Sequence, residues 1–322
     1  MAPVTTSPVP DPLVPRSLGT TGWEVTGLCV GTSELGDVPG LYDGGGVPSE
    51  QALTTAREAF AGPLTFVDTS NGYGLSEQRL GTVLRELGGV PPGILLATKV
   101  DPAEGGAFDG PRVRESVRES LDRLGVDHLP LLHLHDPERI GFEAAMAPGG
   151  PVDVLRELVA EGLVDSLGIA GGPVDMLRRV VATGEFSVVL THNRWTLLDR
   201  SAGALLTESV DAGVAVLNGA PFGGGILAKG PATTDRYAYR TAPAPVLTAA
   251  RAIEAACVRA GVPLAAAALQ DSLRDPRITS TVVGSSRPGR LARTLELAAL
   301  PVPDTLWDEL SDLVPGQEHW LR

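Results

Sequence analysis

Four polar side chains stand at the ends of apolar runs in this chain. FVD closes on Asp68, and the turn TSNGYG that follows it carries Tyr73. ILLATKV carries Lys99, and LPLLHLHD carries His135. An ammonium beside a phenol favours the phenolate, so Lys99 near Tyr73 makes the phenol a better acid. A carboxylate beside the lysine holds it charged and in place. A histidine next to the phenol can orient a carbonyl oxygen or share its proton. Together these groups polarise a C=O and protonate the developing alkoxide. They offer neither a nucleophile nor a source of electrons, so hydride must come from a bound cofactor.

The four groups can act together only if the fold brings those run ends to one place. Short apolar runs alternate with amphipathic stretches along the whole chain. Residues Thr26–Val30, LTFVD, GILLATKV, HLPLLHLH, VDSLGIAG, FSVVLTHN, VAVLNGAP and ITSTVVGS read as eight strands. Helices are expected over Ser49–Ala61, Ser76–Leu87, Arg112–Leu124, Pro151–Glu161 and Pro173–Thr183, then over Arg200–Ala212, Ala244–Ala260, Pro263–Leu273 and Arg287–Leu300. Near-continuous apolar strands belong to a sheet covered on both faces. Eight such βα units in 322 residues predict an α/β fold with a single (β/α)8 TIM barrel. An open doubly wound sheet would favour GxGxxG after the first strand, and GTSELG does not supply it. Residues 1–15 are expected as a flexible N-terminal arm and 16–322 as the barrel, with a small hairpin before the first strand. Arg236–Pro245 is expected as a surface loop.

Strand parity sharpens the expectation, because alternate side chains face the lumen. Leu64, Phe66 and Asp68 share one face, as do Leu95, Ala97 and Lys99, and Leu131, His133 and His135. If that face is the lumen, Asp68, Lys99 and His135 sit at its upper rim, where barrel enzymes carry their chemistry. His133 lies one layer deeper and is expected as a buried histidine with a hydrogen-bond partner. His133, His135 and Asp136 lack the further ligands of a metal site, so no metal is expected.

Composition narrows the classes of function. Hydrophobic residues make up 43% and charged residues 20%, as in ordinary globular chains. The formal charge of −13 and the lack of a long basic run argue against nucleic acid and anionic membrane surfaces as partners. No stretch approaches the ~20 apolar residues of a membrane span, and the proline-rich N-terminus lacks the apolar core of a signal peptide. Cys29 and Cys257, each in an apolar segment, fit small buried hydrophobes in a reducing compartment. A cytoplasmic protein with a small-molecule partner is expected; oligomeric state leaves no sign in the sequence.

Several segments carry a family resemblance: RSLGTTGWEVTGLCVGT, FVDTSNGYGLSEQRLG, LATKV, VDHLPLLHLHDPE, DSLGIAGG, GAPFGGGIL and VVGSSRPGRLARTL. From Arg16 to about Leu300 the chain resembles the aldo-keto reductase family. The resemblance implies a barrel, a nicotinamide cofactor and a catalytic tetrad of Asp68, Tyr73, Lys99 and His135. Tyr73 would be the general acid/base, Lys99 and Asp68 would tune it, and His135 would orient the substrate. Each residue alone has a plainer reading: a helix cap, a turn aromatic, a surface lysine, a core histidine. Four together at strand ends, with these flanks, favour the site.

The cofactor contacts follow from the resemblance and from two loops. Ala220, Pro221, Phe222, Gly223 and Gly225 lie in a run of small residues whose backbone N–H groups are free to approach a pyrophosphate. Gly284, Ser285, Ser286 and Arg287 precede a helix whose N-terminus attracts anions, with Arg290 one turn further in and Thr294 beyond it. Gly31, Thr32 and Asp68 complete the cofactor set. Where the family has a Ser-Asn pair and a Gln for the carboxamide, this chain has Ala170-Gly171 and Thr191, which leaves Asn193 as the candidate contact. Trp195 and Tyr42 are candidates for the substrate pocket. His319 and Trp320 of the tail read as surface. Arg287 and Arg290 favour NADP(H); Gly284, standing where NADP-preferring members carry a basic residue, leaves NAD(H) open. HDPE and HNRWTLLD look most like the branch containing D-threo-aldose and pyridoxal dehydrogenases. The expected activity is NAD(P)(H)-dependent hydride transfer between nicotinamide and an aldehyde, ketone or sugar carbonyl or alcohol. The alternative is a catalytically weak nicotinamide-binding regulatory subunit, against which the intact tetrad argues.

Overall fold

The computed structural model describes residues 6, 10–38 and 46–321. Tyr42 and most of the expected N-terminal arm lie outside the described residues. Eight strands form a closed parallel barrel: β1 (Leu28–Gly31), β2 (Phe66–Asp68), β3 (Leu95–Val100), β4 (Leu129–His135), β5 (Val164–Gly171), β6 (Val188–His192), β7 (Ala215–Gly219) and β8 (Ser280–Gly284). Each pairs with its neighbours in chain order, and β8 closes the ring by pairing Gly284 with Gly31 of β1. The fold is the (β/α)8 TIM barrel that the alternation of runs predicts.

Strand parity holds above the strand starts. Cys29, Phe66, Leu95, Ala97, Leu131, Ala170, Val188, Leu190, Ala215 and Leu217 pack into one buried lumen cluster. Leu18 and Val25, from the hairpin that pairs Arg16–Ser17 with Glu24–Val25, join this cluster. Leu64 departs from its expected place and packs in the outer core between barrel and helices. The reason is that β2 begins only at Phe66, so the pleat does not extend down to Leu64. Cys29 is buried in the lumen and Cys257 in the outer core, both as free thiols.

The outer ring is α1 (Ser49–Ala61), α2 (Ser76–Leu87), α3 (Gly110–Leu124), α4 (Pro151–Ala160), α5 (Val174–Val181), α6 (Gly203–Asp211), α7 (Ala244–Ala260), α8 (Leu264–Leu273), α9 (Arg290–Ala299) and α10 (Asp304–Asp312). The helix expected from Arg200 begins three residues later, because Asp199 first bonds the Ser201 N–H in a turn (2.8 Å). The one expected from Arg287 begins at Arg290, since Gly289 holds a left-handed turn (φ 77°) ahead of it. Helix α10 was not anticipated from the sequence; Leu306 and Leu310, four residues apart, bury its inner face. Beyond it the Leu321 N–H donates to Asp199 (2.6 Å) and ties down the tail. Among the described residues no single helix is long and apolar enough to cross a membrane.

Arg236–Pro245 is more than a surface loop. Arg236–Tyr237 pairs with Arg240–Thr241 in a small antiparallel hairpin. The buried Tyr237 hydroxyl donates to the Asn193 carbonyl (2.7 Å) and anchors the hairpin beside the barrel mouth.

Candidate active site

Asp68, Lys99, His135 and Tyr73 converge at the rim. Lys99 Nζ donates to Asp68 Oδ2 (2.6 Å) and to the Thr69 carbonyl (2.6 Å). Both charged side chains are almost fully shielded, at 1% and 3% exposure, so the ion pair is a buried one. Lys99 Nζ also lies 4.8 Å from the centroid of the Tyr73 ring. The His135 ring meets Tyr73 edge to face, with centroids 5.8 Å apart and planes at 82°.

Glycines let the Tyr73 turn come this close. Gly74 has a φ of 50°, and a Cβ there would sit 2.4 Å from the Gly36 carbonyl oxygen. That carbonyl accepts the Leu75 N–H (2.7 Å), which fastens the turn to the short helical turn after β1. On the other flank Gly72 leaves room for the Asp101 carboxylate, which a Cβ would meet at 2.7 Å. The Gly72 N–H donates to Asp101 Oδ2 (2.7 Å).

Burial dominates the electrostatics. It pushes the Tyr73 phenol well above its ordinary value, and the Asp68 carboxylate adds in the same direction. The net depression by Lys99 that the sequence leads one to expect is absent, because Asp68 already neutralises the ammonium. Burial likewise raises Asp68, against the pull of Lys99. For His135 burial works downward, but the Asp101 charge and hydrogen bond outweigh it and the imidazole is raised. Asp101 shows the converse: burial opposes its ionisation, and His135, Ser70 and the Gly72 N–H together hold it well below the usual carboxylate range. His133 is fully buried, and burial, Lys99 and His135 all keep it neutral. Its expected partner is missing among the described residues: neither ring nitrogen makes a well-formed hydrogen bond there, and the Ile169 backbone offers only a weak one.

A cavity of about 890 Å³ opens over this cluster and runs to the loops after β7 and β8. Asp68, Tyr73, Lys99 and His135 all line it. Of the residues expected to hold a cofactor, Gly31, Ala220, Pro221, Phe222, Gly225, Gly284, Ser286, Arg287 and Arg290 also line it. Thr32, Asn193, Gly223, Ser285 and Thr294 stand behind that wall. Thr32 Oγ1 is spent on the Asp68 carbonyl (3.0 Å), and Thr294 Oγ1 on the Arg290 carbonyl (3.0 Å). Asn193 Nδ2 faces His192 Nδ1 (3.0 Å). Trp195 lies outside the cavity, between the guanidinium groups of Arg200 and Arg277, each 4.8 Å from its ring. His319 belongs to a separate shallow depression beside α7.

The wall has features that suit a dinucleotide. Ala220, Gly223, Gly224 and Gly225 all adopt positive φ and bring the backbone close to the cavity. The N–H groups of Gly223 and Gly225, expected to be free for a pyrophosphate, instead donate within the turn to the Ala220 (2.9 Å) and Phe222 (3.0 Å) carbonyls. Ser285 Oγ, fully buried in the loop after β8, has no hydrogen-bond partner among the described residues. Acids stand at the same end. Glu34 Oε1 lies 2.9 Å from where a Cβ on Gly284 would be. The Gly289 N–H at the start of α9 is already taken by Glu58 (2.8 Å).

Sequence reading missed several residues of the site. Asp101, just past the end of β3 and behind the cavity wall, had a legible signal, since it follows Lys99 by two positions at the same parity. His192, pushed down to about 4 by burial and Arg194, lines the cavity next to Tyr239, their rings 6.0 Å apart. Tyr239 and Arg236 arrive on the hairpin, and Lys229 on the turn after β7. Nothing in their spacing ties those three to a strand end.

A parallel eight-stranded barrel with a buried Lys–Asp pair, a tyrosine and a histidine at its rim belongs to a recognisable class of oxidoreductase. Residues 27–314 match the model of the Aldo/keto reductase family, and the chain belongs to that family. It is 32% identical over 295 residues to D-threo-aldose 1-dehydrogenase of Pseudomonas sp, covering 83% of this chain and 89% of the relative. L-galactose dehydrogenase of Arabidopsis thaliana is 34% identical over 278 residues, covering 84% and 83%. Pyridoxal 4-dehydrogenase of Microbacterium luteolum is 28% identical over 335 residues, covering 92% and 96%. The solved structure of PA4992 from Pseudomonas aeruginosa shares the fold, with a TM-score of 0.63 at 22% identity over 90% of this chain and 95% of that one. The family and these relatives make this chain an oxidoreductase of carbonyl or alcohol substrates.

Proposed function

We propose that this oxidoreductase interconverts an alcohol and a carbonyl with a nicotinamide dinucleotide, and that Tyr73 carries the proton. The observation that supports this most is the placement of the Tyr73 ring, with Lys99 under its face and His135 at its edge, on the floor of the cavity. The cofactor, when bound, supplies or takes up hydride. Tyr73 donates its proton to the nascent alkoxide in reduction and accepts one from the hydroxyl in oxidation. The protonated His135 ring, tied at Nδ1, presents Nε2–H to the substrate oxygen and fixes its direction. The Asp68–Lys99 pair holds the floor on which the phenol rests.

The loop Ala220–Gly225 and the end of β8 would hold the dinucleotide. Arg287 and Arg290 line that end and speak for a 2′-phosphate; Glu34 and Glu58 speak against one. A 2′-phosphate held by Arg287 and Arg290 would be opposed by the Glu34 carboxylate beside Gly284, and the Gly289 N–H at the start of α9 is already given to Glu58, whereas a ribose hydroxyl can donate to an acid there. The proposed preference is therefore NAD(H), in place of the NADP(H) that the arginines alone favour. The sugar-directed relatives, and a mouth edged by His192, Tyr239, Arg236 and Lys229, support a hydroxyl-rich aldehyde or its alcohol as substrate. Quenching of tryptophan fluorescence by NADH and by NADPH tests the preference. NADH is expected to bind at least about tenfold tighter, or roughly 1.4 kcal/mol. Tighter binding of NADPH would overturn it.

A further inference from the structure

Asp101 lies outside the tetrad and ties two of its members together. Its carboxylate is buried, and each oxygen serves a different element. Oδ1 accepts from His135 Nδ1 at the end of β4 (2.7 Å). Oδ2 accepts the Gly72 N–H (2.7 Å) and the Ser70 hydroxyl, both in the turn that carries Tyr73. The residue is itself pinned from behind: its carbonyl accepts Arg112 Nε of α3 (3.0 Å), and its N–H faces Ser116 Oγ (3.3 Å). A side chain held by its own backbone to a helix, and holding two loops in turn, is poorly placed to move.

We propose that Asp101 is a positioning residue for the reaction: one carboxylate holds the His135 ring by its Nδ1–H and the Tyr73 turn by Gly72 and Ser70, so the two proton-handling groups keep one mutual geometry. The proposal rests on the function given above, and its chemistry follows from the acceptor character of a carboxylate. With Nδ1–H committed to Asp101, Nε2 of His135, 3.8 Å from Asp136 Oδ1, is the nitrogen left for a substrate. It donates to the substrate oxygen when the ring is protonated and can only accept when the ring is neutral. The groups facing that ring pull in both directions. Asp101, Asp136, Glu138 and Asp68 favour its proton, while Lys99, any charge on His133 or His192 and the fully buried neighbourhood oppose it, and the Tyr73 phenol packs at its edge. Removing the Asp101 charge takes away the closest of the acids. An asparagine that keeps the Gly72 bond would turn its NH₂ toward Nδ1, force the other tautomer, and disfavour protonation.

The test is the proton NMR titration of His135 in the full-length protein, its resonance assigned by its loss in His135→Gln. In the wild type it should titrate above the ordinary histidine value of about 6.5. In Asp101→Asn the midpoint should fall by about one unit or more, and in Asp101→Glu it should recover. Because the neutral ring of Asp101→Asn keeps its proton on Nε2, the alkaline limb that His135 sets on kcat/KM for carbonyl reduction should flatten. Loss of the imidazolium charge should lower kcat/KM by roughly 10- to 100-fold at the wild-type optimum. In Asp101→Glu the limb should return. A wild-type midpoint at or below the ordinary value, or a midpoint unmoved in a folded Asp101→Asn, would overturn the proposal. The NMR result does not depend on turnover. A shifted midpoint in a protein with no oxidoreductase activity would therefore sink the proposed function and leave the His135–Asp101 tie standing.

Discussion

The Lys99 ammonium lies against the ring of Tyr73, 4.8 Å from its centroid, while its hydrogen bonds go to Asp68 and the Thr69 carbonyl. Its charge is therefore spent before it can acidify the phenol, and burial governs Tyr73 instead. The folded state holds this proton more tightly than the unfolded chain does. Its contribution to stability is complete below the ordinary value of about 10 and is lost as pH rises through the higher folded value. An alkaline absorbance titration of the free enzyme, wild type minus Tyr73→Phe, should show no phenolate from this residue below about pH 10. Ionisation near neutral pH would mean that Lys99 prevails over burial.

The buried Asp68–Lys99 pair predicts a strongly non-additive pair of substitutions. Lys99→Met leaves a carboxylate in the barrel with one bond lost and Oδ1 already unpartnered. It should cost about 3 kcal/mol or more in urea unfolding. Adding Asp68→Asn should recover part of that loss, while activity stays abolished in both proteins. Equal losses that simply add would contradict a coupled pair.

Gly74→Ala should hurt activity more than stability. The new methyl would meet the Gly36 carbonyl at 2.4 Å from a backbone at φ 50°, so the turn must shift. Strain of this kind costs of order 1–3 kcal/mol, but a displacement of about 1 Å at a reacting group can cost 10²-fold in rate. A variant with a lowered melting temperature and unchanged kcat would show that Tyr73 does not depend on this contact.

Trp195→Ala should do the opposite. The ring packs between Arg200 and Arg277, away from the cavity. Its loss should lower stability by roughly 3 kcal/mol with KM and cofactor affinity unchanged. A raised KM in a protein of normal stability would place Trp195 in the substrate pocket after all.

Much of this site is legible in the chain because strand ends are legible. Asp68, Lys99 and His135 each close a β-run at the same parity, and a parallel barrel must gather such ends on one rim. Tyr73 follows Asp68 by a turn whose glycines announce close packing. Asp101 had the same parity as Lys99 but no apolar run to mark it. Tyr239 and Arg236 reach the cavity on a hairpin that leaves the barrel after β7, and no period in the sequence says which way such an excursion folds. Trp195 erred in the other direction: its place just after β6 puts its backbone near the mouth, while two guanidinium groups draw its ring outward. Glu34 and Glu58 became relevant to the cofactor only once the fold had set them beside Gly284 and Gly289.

Turnover of Tyr73→Phe tests the central claim most directly. Wild-type enzyme with NADH and a panel of aldoses and simple aldehydes should consume the reduced nicotinamide absorbance. The phenylalanine variant should bind NADH as the wild type does and turn over roughly 10²- to 10⁴-fold more slowly. Equal turnover by the two proteins, or none by the wild type with either nicotinamide, would contradict the account.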